Sequence, residues 1–373
     1  MSTTINIPLV KTHISEAEIE SVLAVLRSGQ LAQGPYVARF EERFAAACDA
    51  RYSVAVNSGT AAIHCALEAC GVGPGDEVVT TPFTFAATAT PILMQRATPR
   101  FVDIDPRTFN ADFGALADGL TARTKAVIAV DLFGLPVDPA GATALSERNI
   151  AIVEDACQAI GARRNGVPAG SLGDVGAFSL YATKNLMTGE GGMLVTSSDE
   201  IAKKARRFRQ HGQGERYEYL SLGYNYRMTD VAAAIGLGQL DRLDAITARR
   251  QQNARRYDEL LASIPGLTTP FVPEGVEHAY HQYSILVDNT KTNNGQGRDG
   301  VRAALSERGI GTGIYYPTPL HENPLFSDLG YSKGDFPNAE RAARQILALP
   351  IHPLLSNEDL ETVAAAIREA LGA

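Results

Sequence analysis

The sequence predicts an α/β protein: a mostly parallel, seven-stranded sheet covered by helices, followed by a smaller C-terminal α+β domain. Three observations carry this prediction. β-Branched runs recur between about residues 50 and 200 as YSVAVNS, DEVVTT, PRFVDI, KAVIAVD, IAIVED, DVGAFSL and GGMLVTS. The intervals between them hold amphipathic stretches such as TAAIHCALEAC and PAGATALSERN. The runs are also apolar almost throughout, as strands buried on both faces must be.

Near Thr229 the pattern changes to one long helical stretch, TDVAAAIGLGQLDRLDAITARRQQNARRYDELLASI, whose end is marked by Pro265 and Gly266. Strands and helices then follow in YHQYSILVD, VRAALSERGI and NAERAARQILAL. The division is expected near residue 245, giving a large domain over 1–245, N-terminal helix included, and a small one over 246–373. The polar, Asn- and Gly-rich DNTKTNNGQGRD reads as a mobile loop without a functional role.

Composition narrows the function. Apolar residues at 45% and charged residues at 20% are ordinary for a globular chain that folds by itself. A net charge of -8 with no long basic run argues against nucleic acid or an anionic membrane as the main partner. No segment is apolar for long enough to span a bilayer, and MSTTINIPLVKTHISEAEIE lacks a charged lead before an apolar core, so a cytoplasmic location is expected. Cys48, Cys65, Cys70 and Cys157 lack paired spacing and read as buried free thiols. No metal site is expected: His64 has no further ligand at suitable spacing, and Asp103 and Asp105 in VDIDPRT read as a strand-to-loop exit.

Ligands of an open α/β sheet bind beyond the carboxyl ends of its strands, so the residues there belong together. The first strand runs into Asn57, Ser58, Gly59 and Thr60 at a helix start, which suits a phosphate and equally reads as an ordinary N-cap. The fifth ends in Glu154 and Asp155, buried acids that need a donor or a cation, or else caps of a following helix. The sixth carries Ser179 and leads to Lys184 in FSLYATKNLMTGEGGM, where the plainer reading is a surface lysine. Together they supply what pyridoxal phosphate requires: donors for its phosphate, a carboxylate for its pyridine nitrogen and a desolvated lysine for its aldehyde. Phe83 and Phe85 in TTPFTFAATA offer an aromatic face, with core packing expected to claim at least one of them. The glycines after Lys184 are expected to let the chain pass close to the cofactor.

The ordered set NSGTAA, TPFTFAATA, VEDACQAIGA, FSLYATKN…GEGGM and LGYNYRMTD resembles the DegT/DnrJ/EryC1/StrS family of pyridoxal-phosphate aminotransferases, which act on nucleotide-linked keto sugars. The resemblance runs from about Ile14 to the C-terminus and includes LAQGPYVARFEERFA and GIGTGIYYPTPLH. It implies the aspartate-aminotransferase type of fold (fold type I) and a homodimer with shared active sites. By position it makes Lys184 the lysine bonded to the cofactor and Asp155 the partner of the pyridine nitrogen. Gln158 lies near the ring hydroxyl, Phe85 stacks, and Gly59, Thr60 and Ser179 hold the phosphate. Asn225 reaches the phosphate of the partner's cofactor, with Arg227 as the alternative. Tyr315, Tyr316 and His321 face the sugar nucleotide, with His321 reading equally as a surface or core residue. Relatives with histidine in place of this lysine catalyse dehydration, so Lys184 favours transamination.

The implied donor is L-glutamate, released as 2-oxoglutarate. GYNYRMTD and TGEGGM look more like members acting at carbon 4 of the hexose, while carbon 3 of a keto sugar, or a cyclitol ketone, stays open. Two other classes fit the sequence less well. A dinucleotide enzyme lacks its glycine pattern after the first strand. A non-catalytic regulatory protein that keeps the cofactor is opposed by the intact Lys184, Asp155 and Ser179.

Overall fold

Each of the expected runs forms a strand. β1 (Tyr52–Val56), β2 (Glu77–Thr80), β3 (Thr98–Phe101), β4 (Thr124–Val130), β5 (Ala151–Asp155), β6 (Val175–Ser179) and β7 (Gly192–Thr196) make one sheet in the order β1-β7-β6-β5-β4-β2-β3. In this computed structural model the described residues are 6–288, 290 and 297–372. The β2–β3, β2–β4, β4–β5 and β5–β6 pairs are parallel, whereas β7 runs antiparallel to both of its neighbours. The chain turns back after β6 through residues 180–191 without a helix, and only an antiparallel neighbour can be reached that way.

Successive residues of β4 enter opposite cores, which explains its unbroken apolar character. Ala126 and Ile128 join Val54, Val153 and the Gly59–Ala69 helix, while Val127 and Ala129 pack with Phe113 and Leu145. Neither face is left for water.

The expected long helix is in fact two, Asp230–Asp241 and Leu243–Leu261, separated at Arg242, whose φ of -110° and ψ of 2° leave the helical basin. The helices serve different cores. The first contributes Ala233 and Leu237 to the cluster around Phe40, Phe44 and Phe178. The second contributes Ala254, Tyr257 and Leu261 to a C-terminal cluster with Tyr283, Ile285, Leu347 and Leu349. A straight helix cannot face both, so the break lies where the chain passes from one to the other. That C-terminal cluster is built on a three-stranded sheet of Leu267–Thr268, Tyr283–Val287 and Ile346–Leu349, backed by the Asn357–Leu371 helix. Ile7 joins it through a bridge to Ile310, so the N-terminal segment packs into this C-terminal cluster. Residues 289 and 291–296 of DNTKTNNGQGRD lie outside the described residues.

Asp103 and Asp105 behave as a strand exit. Asp103 accepts from the N–H groups of Asn338 and Ala339 at the start of the Pro337–Gln345 helix, and Asp105 accepts from those of Arg107 and Thr108.

One long-range contact fixes the N-terminal helices on this frame. The Pro35–Ala47 helix has no side-chain cap of its own. Its free N–H groups at Gly34, Tyr36 and Val37 donate instead to the buried carboxylate of Asp230, at 2.9, 3.3 and 2.9 Å. A Cβ at Gly34 would meet that carboxylate at 2.7 Å, so glycine permits the approach. Asp230→Ala leaves several donors unsatisfied and should lower stability by at least about 2 kcal/mol, read as a shifted urea midpoint at unchanged slope. A midpoint equal to wild type would show that another group caps this helix.

Candidate active site

Strand ends converge here because side chains are missing where backbones meet. Ser58 ends the β1 exit and caps the Gly59–Ala69 helix by accepting from Ala61 N–H at 3.1 Å. A Cβ on Gly59 would lie 2.7 Å from the Cβ of Ser179 and 3.0 Å from Cys157 Sγ. Glycine therefore lets the helix start touch the ends of β5 and β6. At Gly192 a Cβ would stand 2.2 Å from the Ser58 carbonyl oxygen. Gly191 and Gly192 make room for Thr188, Met228 and Ser58, parts of the chain itself.

A cavity of about 450 Å³ opens at this junction. Its walls include Gly59, Thr60, Phe85, Asp155, Gln158 and Ser179, together with Lys184, Tyr315 and Tyr316. Asn225 and His321 are not among its lining residues. Asn225 is exposed on the segment before the Asp230–Asp241 helix, where its carbonyl accepts from Asn57 Nδ2 at 3.5 Å. Nearby, Arg227 bridges to Val56 of β1. His321 is buried away from the cavity, with Nε2 3.3 Å from Glu340 Oε1 and its ring edge-on to Phe336. The helix bearing Glu340 holds the imidazole in the core.

Asp155 ends β5, and no helix follows it for its carboxylate to cap. Oδ2 accepts from Thr88 Oγ at 2.6 Å, and Oδ1 accepts from Cys157 N–H at 3.2 Å. Thr88 lies 2.8 Å, hydroxyl to hydroxyl, from Thr84, so a short polar chain aims the acid. Gln158 is held at both ends: Oε1 accepts from Phe133 N–H at 2.8 Å, and Nε2 donates to the Tyr316 hydroxyl at 3.2 Å. Phe83 is fully buried, as expected for one of the pair, whereas Phe85 stays 59% exposed with its ring 6.0 Å from that of Tyr316. Phe85 is thus the aromatic face that a ligand can cover.

Lys184 stands on the turn after β6, its N–H bonded to the Tyr181 carbonyl. Its side chain is half-buried. Desolvation pulls its ammonium below the usual lysine range, opposed by Cys157 and Asp155. A lysine so placed loses its proton more readily and becomes a nucleophile.

Residues 12–368 match the DegT/DnrJ/EryC1/StrS aminotransferase family. The chain belongs to this family. A pleiotropic regulatory protein of Geobacillus stearothermophilus is 43% identical over 357 residues, 94% of either chain. The UDP-2-acetamido-2-deoxy-3-oxo-D-glucuronate aminotransferase of Pseudomonas aeruginosa is 37% identical over 345 residues, 92% of this chain and 93% of that protein. The PLP-form structure of Spr1654 from Streptococcus pneumoniae matches with a TM-score of 0.92 at 30% identity, covering 99% of both chains. The protein is a sugar aminotransferase of fold type I with pyridoxal phosphate as its cofactor.

The cavity fits that cofactor on its own chemistry. A helix N-terminus begins at Gly59, a buried carboxylate stands at the end of β5, and a desolvated lysine lies across from them. Sequence reasoning missed Thr88, His281 and Gln282, all of which line the same cavity. Thr88 sits in the quoted TPFTFAATA. His281 and Gln282 sit in YHQYSILVD, where two polar residues at the head of an apolar strand were the available signal. His64, read as structural, is buried against Phe208 and Tyr224, and its Nδ1 is 3.1 Å from the Tyr226 hydroxyl. Burial depresses its pKa to about 4.

Behind Asp155 lies a second pair of acids. Glu154 accepts from the N–H groups of Gly170 and Leu172 and packs carboxyl to carboxyl with Asp131, whose own N–H donates to the Asp155 carbonyl. Burial, then the Glu154 charge, raises Asp131 well above the usual carboxyl range, so Asp131 carries the proton donated to Glu154. A raised pKa stabilises the fold below the ordinary carboxyl range, and this contribution is lost as pH rises through the elevated value. Asp131→Asn supplies a permanent N–H donor and should flatten the decline on the alkaline side, checked by urea midpoints at about pH 5 and about pH 8. An identical decline in the variant would remove Asp131 as the titrating group.

Proposed function

We propose that the enzyme moves an amino group from L-glutamate to a nucleotide-linked keto sugar, with carbon 4 of a 4-keto-6-deoxyhexose as the position aminated. The reading is carried by Lys184 lining one cavity with Asp155, opposite the glycine-lined helix start. When bound, pyridoxal phosphate supplies an electron sink beside the reacting carbon. Asp155, aimed by Thr88, holds the positive charge of the ring nitrogen. Gly59, Thr60 and Ser179 bind the phosphate, Gln158 and Phe85 orient the ring, and the Lys184 amine moves a proton to and from the substrate carbon. The GYNYRMTD and TGEGGM segments favour carbon 4. A second reading, amination at carbon 3, is favoured by the Pseudomonas relative, whose name specifies a 3-oxo sugar.

Turnover with glutamate and a panel of 3-keto and 4-keto nucleotide sugars, followed by NMR assignment of the product, decides the carbon. A panel in which only 3-keto sugars are aminated replaces the first reading by the second. The purified protein should be yellow, and borohydride should fix the cofactor to Lys184. Lys184→Ala should lose transamination by several orders of magnitude, because the attachment point and the proton carrier are one group. Full activity in that variant would end the proposal.

The site is proposed to be completed across a homodimer. Residues 212–224 expose Tyr217, Tyr219, Leu220 and Leu222, apolar surface suited to a second subunit. Asn225 follows them and does not line its own chain's cavity, and the reach to the partner's phosphate is what the family resemblance implies for it. Mixing inactive Lys184→Ala subunits with impaired Asn225→Ala subunits should restore activity above either parent, since each mixed dimer then holds one intact site. Confirmed subunit exchange without any rise would place Asn225 outside the partner's site.

A further inference from the structure

A second cavity, of about 300 Å³, meets the first at Thr183 and Lys184. Lys11 of the N-terminal segment, and Arg242, Arg249 and Arg250 around the helix break, form its charged wall. Among the described residues no Asp or Glu lines it. In a chain of net charge -8 this is a local reversal of sign.

The partners of these cations leave most of the charge unbalanced. Arg242 is matched by the buried Glu18 at 2.7 Å. Arg249 donates to Gln252 Oε1 at 2.7 Å and to the Leu355 carbonyl at 2.6 Å, both neutral acceptors. Arg250, only 5% exposed, donates Nη1 to the carbonyls of Tyr280 and His281, while its Nε is buried without an acceptor. Burial depresses its pKa to about 10, the sign of a guanidinium held without a counter-charge. Neutral acceptors fix the orientation of these groups but do not neutralise them, an arrangement suited to an incoming oxyanion.

Lys184 lies in the wall between the two cavities, and the first carries the groups that fit the cofactor. A substrate that brings its reacting carbon to Lys184 has the second cavity beside it for the rest of its length. Both proposed substrates carry an anionic tail, the diphosphate of the nucleotide sugar and the distal carboxylate of glutamate. Resting on the function proposed above, we infer that the second cavity is a shared oxyanion subsite, occupied by the diphosphate in one half-reaction and by the donor's distal carboxylate in the other.

The test uses the holoenzyme with inorganic pyrophosphate, UDP and glutarate as probes, and calorimetry as the readout. Arg249→Ala combined with Lys11→Ala should weaken pyrophosphate and glutarate binding about tenfold or more, and added salt should weaken wild-type binding in parallel. The exposed Lys11→Ala alone, with unchanged thermal midpoint and cofactor absorbance, serves if the double variant does not fold, and it should weaken both probes in the same direction. Wild-type affinities in the folded variants, or no anion binding to wild type, overturn the subsite. Steady-state kinetics separate the two sources: KM should rise for both glutamate and the keto sugar. A rise confined to one substrate overturns the sharing. Because calorimetry needs no turnover, anion binding that depends on these residues while no keto sugar is aminated sinks the function proposed above and leaves the cavity's affinity standing.

Discussion

The site depends on backbone contacts that exclude side chains. At Gly59 and Gly192 the starting helix, β6 and β7 approach so closely that a methyl group on either would force them apart. That closeness brings the helix N-terminus, Ser179 and the turn bearing Lys184 to the edge of one cavity. Neither glycine has a positive φ. What selects glycine at both positions is space, and the conformational freedom of the residue is secondary.

The pleat of β5 then divides two neighbouring acids between different tasks. Glu154 points to one face, where it holds the Gly170–Leu172 turn and shares a proton with Asp131. Asp155 points to the other, where Thr88 and a backbone N–H orient it in the cavity wall. The pair also explains how so much acid survives burial at one strand end. With Asp131 protonated, Asp131 and Glu154 together carry a single negative charge, and that charge has backbone donors.

Much of this was legible in the sequence. The strands of the main sheet were, because strands covered on both faces are apolar along their length and stand out from amphipathic helices without knowledge of their partners. Lys184, Asp155, Gly59 and Phe85 were also visible, since each sits in a local motif at a strand exit. The break at Arg242 was hidden: helical periodicity runs through it, and only the existence of two cores requires it. His281 and Gln282 reach the cavity from beyond residue 245, so nothing local distinguished them from strand-edge residues. His321 read equally as a substrate contact or a core residue, and this proline-braced histidine beside two cavity tyrosines turns inward to Glu340.

A relative 43% identical carries a regulatory name, so the distinction between an enzyme and a protein that merely retains the cofactor is a physical one. Retention needs the phosphate turn, a partner for the ring nitrogen and an aromatic face. It does not need the lysine to stand where two cavities meet. Transfer between two substrates does need a free amine at the reacting carbon, because the same lysine must serve whichever substrate is present. Lys184 lines both cavities and is desolvated beside Asp155, a placement that suits a lysine used in turnover rather than one kept only to store the cofactor.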